Sequence, residues 1–285
     1  MRGTHRTPHW VRPAGPCGPA SPPPVTRSPA RPAAPSRNRP QWPERTGNAL
    51  ISIDHIAVWS DNLYRATVDL SRATGLGSAD GGYFPGLGLG QKLLSLGGYV
   101  YMEVESIVDH RMIAGRAPLA LELERRTAGG DCFAGLCLRT DDVDEVAEFA
   151  RHHGVAPSGD IDGGKVRMVP AQGSAPSVHA PDFRNSWLRG KPNLYHVPDL
   201  ANHSSLLAPQ PGTGDVRGTG VTALELGGTE ADLKAWLGDV AAPSDLGVDL
   251  RYNGGPDGLY AVAFDTTDGP RTIRLNPITH RAPRS

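Results

Sequence analysis

Hydrophobic and polar positions along the chain follow one pattern that begins three times. Alternating apolar residues, typical of a β-strand, start near positions 51, 133 and 221, and each run leads into a capped amphipathic helix. The starts lie 80 to 90 residues apart. Strand-like segments follow each helix, so the pattern indicates an internal repeat and an α+β fold.

The predicted elements agree between the three units. The first has a strand over 51–59, Ser60 and Asp61 as the helix cap, and a helix that ends at Gly75. Two strands around Gly97 and Gly98 should then form a hairpin. In the second and third units, the helix starts are the capping box of Asp142 with Glu145 and the Thr229–Glu230 pair. The later strands are predicted over 165–171, 192–200, 259–266 and 271–277.

Composition separates the first 49 residues from the rest. They hold eight arginines, one acid and 12 of the 27 prolines, which gives them a net charge of +7 and leaves −8 for the remainder. A segment so rich in proline and arginine cannot bury enough apolar surface to fold, and we expect a disordered tail. The acidic body gives no electrostatic reason to expect nucleic-acid binding. Nothing in the sequence approaches the apolar length of a membrane span.

Strand alternation places polar residues on a common face. In the first strand, Asp54, Ile56 and Val58 should share one face, and Ile53, His55, Ala57 and Trp59 the other. In the strand over 99–107, Val100, Met102 and Val104 should face the helices. The opposite face then carries Tyr99, Tyr101, Glu103 and Glu105, which must line solvent or a polar cavity because unpaired buried carboxylates are costly. Small residues at Gly135 and Cys137 would leave room for such a cavity.

Each candidate residue also has an ordinary structural interpretation. His55 alone is more simply a core histidine with its hydrogen bonds satisfied, and Glu103 alone an exposed strand residue. The pair His152–His153 favours the dipole of a helix end. The glycines over 86–90 lack the strand and helix that surround a dinucleotide-binding loop, so such a site is not predicted there. The joint occurrence of His55 and Glu103 raises the question whether they meet.

Two stretches carry a resemblance to a known family. The sequence over 53–76, continued by that over 85–107, resembles the opening unit of glyoxalase-like proteins of the vicinal-oxygen-chelate superfamily. The segments 220–238 and 260–275 are similar to the C-terminal part of the same family. The resemblance implies paired βαβββ modules that form a curled mixed sheet around a concave cleft. The expected organisation is a tail (1–49), a first module (50–128), a second module (129–210) and a partial C-terminal βαββ unit (218–278).

The resemblance also implies a divalent metal, held by the first and last strands of each module. The matching positions are His55 and Glu103 in the first module, and in the second a non-ligating Gly135 and His196, with His203 as the alternative ligand. Two imidazoles and one carboxylate suit Fe, Mn, Ni, Co or Zn and leave positions open for substrate. Glu105 is the candidate catalytic base. Further cleft residues are expected to be Tyr99, Tyr101, Trp59, Cys137 and His203.

Two functions remain open at this point. The resemblance implies either a metal-dependent lyase, isomerase or oxygenase that acts on a small oxygenated substrate, or a module that binds and sequesters a small molecule without chemistry. The retained His55 and Glu103 favour the enzyme, and the missing ligand at Gly135 favours the binding module. The expected partners are a small molecule and no nucleic acid or membrane, and a homodimer is compatible with this. Three cysteines without a paired spacing suit the cytoplasm.

Overall fold

The computed structural model describes residues 51–84, 88–113, 123–154, 160–161, 166–168 and 190–277. All of these residues belong to one compact unit. The predicted tail over 1–49 lies outside the described residues.

The first module has the βαβββ order that the resemblance implied. Strand β1 runs parallel to β4, and β2, β3 and β4 follow one another as antiparallel neighbours. The elements of this module and of the connection after it are β1 (Ser52–Trp59), α1 (Leu63–Thr74), β2 (Ser78–Phe84), β3 (Leu89–Gly97), β4 (Val100–Ile107), α2 (His110–Ile113) and α3 (123–127). Strand β2 was not predicted, because its glycines and polar residues hide the alternation of a strand.

The second module repeats this topology. Its first strand β5 runs parallel to its last strand β8, while β7 pairs antiparallel with β6 and β8. Its elements are β5 (Cys132–Thr140), α4 (Val143–His152), β6 (Asp160–Ile161), β7 (Val166–Met168) and β8 (Asn193–His196). Strands β1 and β5 pair antiparallel, which joins the two modules in one sheet of order β2-β3-β4-β1-β5-β8-β7-β6.

The C-terminal unit has the same order of elements but a different pairing. A one-turn 3-10 helix (Ser204–Leu206) precedes it, and a second (Pro243–Leu246) lies within it. Its other elements are β9 (Gly218–Leu226), α5 (Glu230–Leu237), β10 (Asp249–Tyr252), β11 (Leu259–Thr266) and β12 (Gly269–Arg274). Strand β10, which was not predicted, pairs with β9 in the order β10-β9-β11-β12. The first strand therefore does not pair with the last, and the unit is not a third copy of the module. The final strand β13 (Asn276–Pro277) pairs with β5 in the large sheet.

The helices begin and end close to the predicted positions. Helix α1 has Asn62 as its N-cap, whose side chain accepts from the Arg65 backbone N–H, so the predicted Ser60–Asp61 cap is one residue early. Gly75 ends this helix in the left-handed conformation, as predicted. Thr229 and Asp232 form a capping box on α5. Among the described residues, no helix is long and apolar enough to cross a membrane.

One hydrophobic core connects all three units. It contains Met102 and Leu94 from the first module, Phe133 from the second, and Leu224 and Phe264 from the C-terminal unit. The backbones approach closely where β3 ends and β9 begins. A Cβ atom on Gly97 would lie 2.5 Å from the Gly218 carbonyl oxygen, so glycine is required there by contact as well as by its φ of 83°.

The turn between β3 and β4 is tight. It consists of Gly98 and Tyr99, with φ angles of 60° and 61°, as a type I′ turn requires. The turn was predicted at Gly97 and Gly98, one residue earlier. The Arg139 guanidinium donates a 2.6 Å hydrogen bond to the Tyr99 carbonyl oxygen, which helps to hold this non-glycine residue in the left-handed region.

Candidate acid–base site

A bulge in β1 creates the first part of the site. The register between β1 and β5 shifts between Ile53 and His55, which leaves Asp54 as the extra residue. The Asp54 carboxylate Oδ1 lies 2.6 Å from His55 Nδ1, so both side chains are on the polar side of the sheet. Ile53 packs in the core with Ile56 instead. The predicted placement of Asp54 and Ile53 was therefore wrong, because regular alternation does not continue through a bulge.

The polar face of β4 lies where strand alternation predicted it. Val100, Met102 and Val104 belong to the core. On the opposite face, Glu103 and Glu105 are nevertheless buried, with exposed fractions of 8% and 6%. Strand β4 pairs with β1, which brings this face beside His55. The carboxyls thus need partners within the protein.

Those partners form a continuous buried network. His55 Nε2 lies 3.3 Å from Glu103 Oε2. The Gln91 side-chain amide donates to Glu103 Oε1 and, at 3.1 Å, to Glu105 Oε1. Trp59 Nε1 donates to Glu105 Oε2 at 3.0 Å. One amide therefore links two carboxyls, and the first of them also faces an imidazole.

Aromatic rings and a thiol surround the imidazole of His55. The Tyr101 ring stacks on it at 4.9 Å between centroids with an interplanar angle of 22°. The Tyr195 ring lies 5.4 Å away in a tilted arrangement. Cys137 is the β5 partner of His55 in the strand register and is fully buried. The sequence predicted a cavity beside the small residue Cys137. In the structure, that space is bordered by His55 and Tyr195.

The pKa values of Asp54 and His55 are shifted in opposite directions. Burial alone would raise the pKa of Asp54, but hydrogen bonds from His203 and His55 lower it well below its ordinary value. Burial alone would lower the pKa of His55, but its neighbours Cys137, Tyr101 and Asp54 raise it well above the ordinary value. Both shifts favour the charged forms, a carboxylate at Asp54 and an imidazolium at His55.

The pKa values of Glu103 and Glu105 are both raised, which favours the neutral form of each carboxyl. Burial, together with the charge of Glu105, raises the pKa of Glu103 to about 8. Burial also raises the pKa of Glu105, against the hydrogen bonds from Gln91 and Trp59. A carboxyl whose pKa lies close to neutrality exchanges its proton readily in both directions, as a general acid–base group must.

We predict that Glu103 makes the protein less stable as pH rises from about 4.5 to about 8. Its pKa is 4.5 in the ordinary state and about 8 in the fold, so in this range the folded chain binds more protons than the unfolded chain. The free energy of unfolding then decreases with pH. Glu103→Gln removes this contribution, so the stability of the variant relative to the wild type should increase toward pH 8. Urea unfolding at pH 5 and pH 8 measures this difference. The control is Glu148→Gln, at a half-exposed position where the carboxylate pairs with Arg151. Parallel pH profiles of wild type and Glu103→Gln would contradict the prediction.

The structure brings together most of the predicted site residues. His55, Glu103 and Glu105 share the network, and Tyr101, Trp59 and Cys137 border it. His203 Nε2 lies 2.9 Å from Asp54 Oδ2. Tyr99 lies in the hairpin turn, with its ring 6.0 Å from that of His203.

His196 does not join this group. It follows Tyr195 on β8, and Tyr195 already faces His55. Alternation therefore places His196 on the other face of the strand with Leu194, which packs in the core. The expected position of the third ligand is wrong by one residue of register, because Tyr195 occupies the place that His196 was predicted to take.

The donor set does not match the metal that the resemblance implied. His55 Nε2 and Glu103 Oε2, 3.3 Å apart, have the spacing of two ligands of one ion. However, both imidazole nitrogens face carboxylates, and the described residues contain no group of three histidine, cysteine, aspartate or glutamate side chains placed to hold a metal. The predicted trio of His55, Glu103 and His196 is therefore not assembled.

Sequence reasoning missed three members of the site. Asp54 was assigned to the wrong face because the bulge is not visible in the sequence. Gln91 lies on β3, two residues before Leu93. A polar side chain in a mostly apolar strand could have indicated that Gln91 belongs to the site. Tyr195 was passed over for the neighbouring His196, and only the strand register separates them.

A separate concavity lies on the apolar side of β5. Its lining includes Phe133, Leu226 and Leu259, with the Lys191–Asp257 ion pair (2.8 Å) at one side. It holds none of the network residues, so the acid–base site lies elsewhere.

A comparison with known families agrees with this fold. The family model of the glyoxalase-like domain matches residues 53–240. The chain belongs to the glyoxalase-like domain family. This confirms the resemblance to the vicinal-oxygen-chelate superfamily. No curated protein matches the sequence.

Several solved structures are similar to this chain. A hypothetical protein from Staphylococcus aureus is 14% identical, with 66% of this chain and 75% of that chain covered and a TM-score of 0.43. A Streptomyces coelicolor methylmalonyl-CoA epimerase in complex with 2-nitronate-propionyl-CoA is 22% identical, covering 42% and 87%, with a TM-score of 0.32. The Mycobacterium tuberculosis methylmalonyl-CoA epimerase is 13% identical, covering 53% and 91%, with a TM-score of 0.34.

Proposed function

We propose that this glyoxalase-like chain is an enzyme that transfers protons on a small oxygenated substrate, as a lyase or an isomerase. The observation that carries the proposal is the buried contact between His55 Nε2 and Glu103 Oε2 at 3.3 Å. A protein that needed only stability would gain little from burying an imidazolium beside two carboxyls. Shifted pKa values in such a cluster are typical of functional sites.

The chemistry assigns a separate role to each group. In its ionised form, Glu103 accepts a proton from the carbon next to a substrate carbonyl, and the C–H electron pair moves to give an enolate. The His55 imidazolium stabilises the negative oxygen. Where the reacting carbon bears a hydroxyl, the hydroxyl proton moves to the former carbonyl oxygen and Glu103 returns its proton to the former carbonyl carbon on the same face, which completes an isomerisation. Where the carbon beyond bears a leaving group, that group departs with the electron pair of its bond and takes the proton from Glu103, which completes a lyase reaction. These groups supply proton transfer, which suits a lyase or isomerase better than an oxygenase.

Isotope exchange tests the proposal without knowledge of the natural substrate. The wild-type protein is incubated in D₂O with a panel of small 2-oxo acids, 2-hydroxy ketones and acyl thioesters, each with an acidic C–H bond. We expect deuterium to enter the carbon next to the carbonyl of at least one class, as measured by mass spectrometry. A panel in which compounds bind without exchange would contradict the enzymatic proposal.

The second candidate is a binding module that sequesters a small molecule. The observation that favours it is the second-module side of the site. Cys137 and Tyr195 stand there, and burial raises the pKa of both groups. Neutral side chains of this kind suit a binding wall better than a catalytic base. Binding without isotope exchange is the result that would select this candidate. Cys132 and Cys137 are buried and form no disulfide within the described residues, which suits either function in the cytoplasm.

We predict that isotope exchange will persist after treatment with a chelator. Both nitrogens of His55 already face carboxylate oxygens, at 2.6 Å for Asp54 and 3.3 Å for Glu103, and a protonated imidazole does not bind a metal. The measurement compares exchange rates and elemental content before and after chelation. If chelation stopped exchange, a divalent ion restored it, and His55→Ala lost the metal without unfolding, the pair would be metal ligands instead.

A further inference from the structure

We infer that His203 is a positioning residue for the acid–base pair and acts through Asp54. The inference rests on the proposed function, since it specifies how His55 is held in that site. His203 precedes the 3-10 helix Ser204–Leu206, in the connection between the second module and the C-terminal unit. It is buried, with an exposed fraction of 7%. Its ring nitrogens contact Ser205 and Asp54, so its effect on His55 passes through Asp54.

The hydrogen bonds determine which nitrogen of His203 carries the proton. The backbone N–H of Ser205 lies 3.3 Å from His203 Nδ1, and the Ser205 hydroxyl lies 2.8 Å from the same atom. Because a backbone N–H can only donate, Nδ1 is the acceptor and Nε2 bears the hydrogen. His203 Nε2 then donates to Asp54 Oδ2 at 2.9 Å. Ser205 therefore fixes the tautomer that points a donor at Asp54.

That donor leaves the other oxygen of Asp54 for His55. Asp54 Oδ1 accepts from His55 Nδ1 at 2.6 Å, and the opposite ring nitrogen faces Glu103. A carboxylate held by two imidazoles cannot rotate about its last side-chain bond without losing a hydrogen bond at each oxygen. His203 thereby fixes the plane of the carboxylate, and the carboxylate fixes the ring of His55. Such outer partners commonly orient a functional histidine.

The segment that carries His203 is itself fastened to the first module. The Gln210 backbone N–H donates to the Ser78 carbonyl at 2.7 Å, and the Thr213 hydroxyl accepts from the Ser78 backbone N–H at 3.0 Å. The ring of His203 also packs edge-on against Tyr101 at 5.5 Å, and Tyr101 stacks on His55. His203 is thus held from both sides, and it supports His55 by a hydrogen-bonded route and by a packed one.

Two substitutions separate positioning from folding. His203→Ala removes the donor, whereas His203→Gln keeps an N–H near the position of Nε2. We expect His203→Ala to lower kcat for isotope exchange by about 10–100-fold, the usual cost of losing such an outer partner. The KM should change little, and His203→Gln should recover most of kcat. His152→Ala is the matched control, because His152 is exposed and its ring contacts the Ala235 carbonyl and the ring of His153, away from the acid–base network.

A spectroscopic readout makes the test independent of turnover. In protein with ¹⁵N-labelled histidine, the short hydrogen bond from His55 Nδ1–H to Asp54 should give a downfield proton resonance that exchanges slowly with water. His55→Gln identifies this resonance. It should disappear in His203→Ala and return in His203→Gln. An unchanged resonance and unchanged kcat in His203→Ala would overturn the inference, as would equal losses in both variants. A resonance that follows the prediction in a protein that exchanges no substrate would support positioning and refute the proposed function.

Discussion

Replacing Glu103 by glutamine should lower kcat for isotope exchange by about 10²–10⁴-fold, the range that a positioned acid–base group contributes. Glutamine has the same shape, and its carbonyl oxygen can still accept from the Gln91 amide, which donates to Glu103 Oε1 in the wild type. It cannot accept a proton from carbon. The KM should therefore change little, because the loss falls on the transition state. Rates are measured on the substrate class that the wild type exchanges.

Glu105→Gln is the matched comparison within the same network. Glu105 accepts from Gln91 and Trp59, whereas Glu103 is the carboxyl with an oxygen 3.3 Å from His55 Nε2. We therefore expect a smaller loss for Glu105→Gln, although the sequence favoured Glu105 as the base. If Glu105→Gln abolished exchange while Glu103→Gln kept the wild-type rate, the assignment of the two carboxyls would be reversed.

The parts of the site that the sequence could predict are those governed by strand alternation. The periodicity of β4 separates Val100, Met102 and Val104 from Glu103 and Glu105, and the structure keeps that division. Alternation acts between neighbouring residues, so a single chain is enough to see it. The same reasoning placed His55 and Glu103 on one side, where their side chains meet.

What the sequence could not predict depends on pairing between distant strands. The bulge at Asp54 exists because β1 shifts its register against β5, which lies some eighty residues along the chain. Whether Tyr195 or His196 faces the site depends on the register of β8 against β5, where one residue reverses every side chain. The pairing of β10 with β9 likewise depends on contacts between segments that are distant in sequence. Local patterns determine elements and faces, and long-range register decides which polar groups converge.

Leu224→Ala in the C-terminal unit should destabilise the whole described body by about 2–5 kcal/mol, the cost of a large-to-small change in a packed core. Leu224 is fully buried in β9 and pairs with Leu250 and Val262 on the neighbouring strands. It belongs to the same hydrophobic cluster as Met102 of the first module. A cavity beneath β9 therefore removes contacts that the two-module sheet shares.

Hydrogen exchange with peptide resolution shows whether that loss is global. In the variant, amides of β4 and β11 should lose protection by the same free energy, because a shared core unfolds in one cooperative step. The control is Val68→Ala, whose side chain is 45% exposed on α1 and should change stability by no more than about 0.5 kcal/mol. Loss of protection in β11 with β4 unchanged would mean that the C-terminal unit opens by itself.

The close contact between Gly97 and Gly218 argues against such opening, since the backbones there leave no room for a Cβ atom. Separating them would expose the end of β3 and the turn whose Tyr99 carbonyl accepts from Arg139.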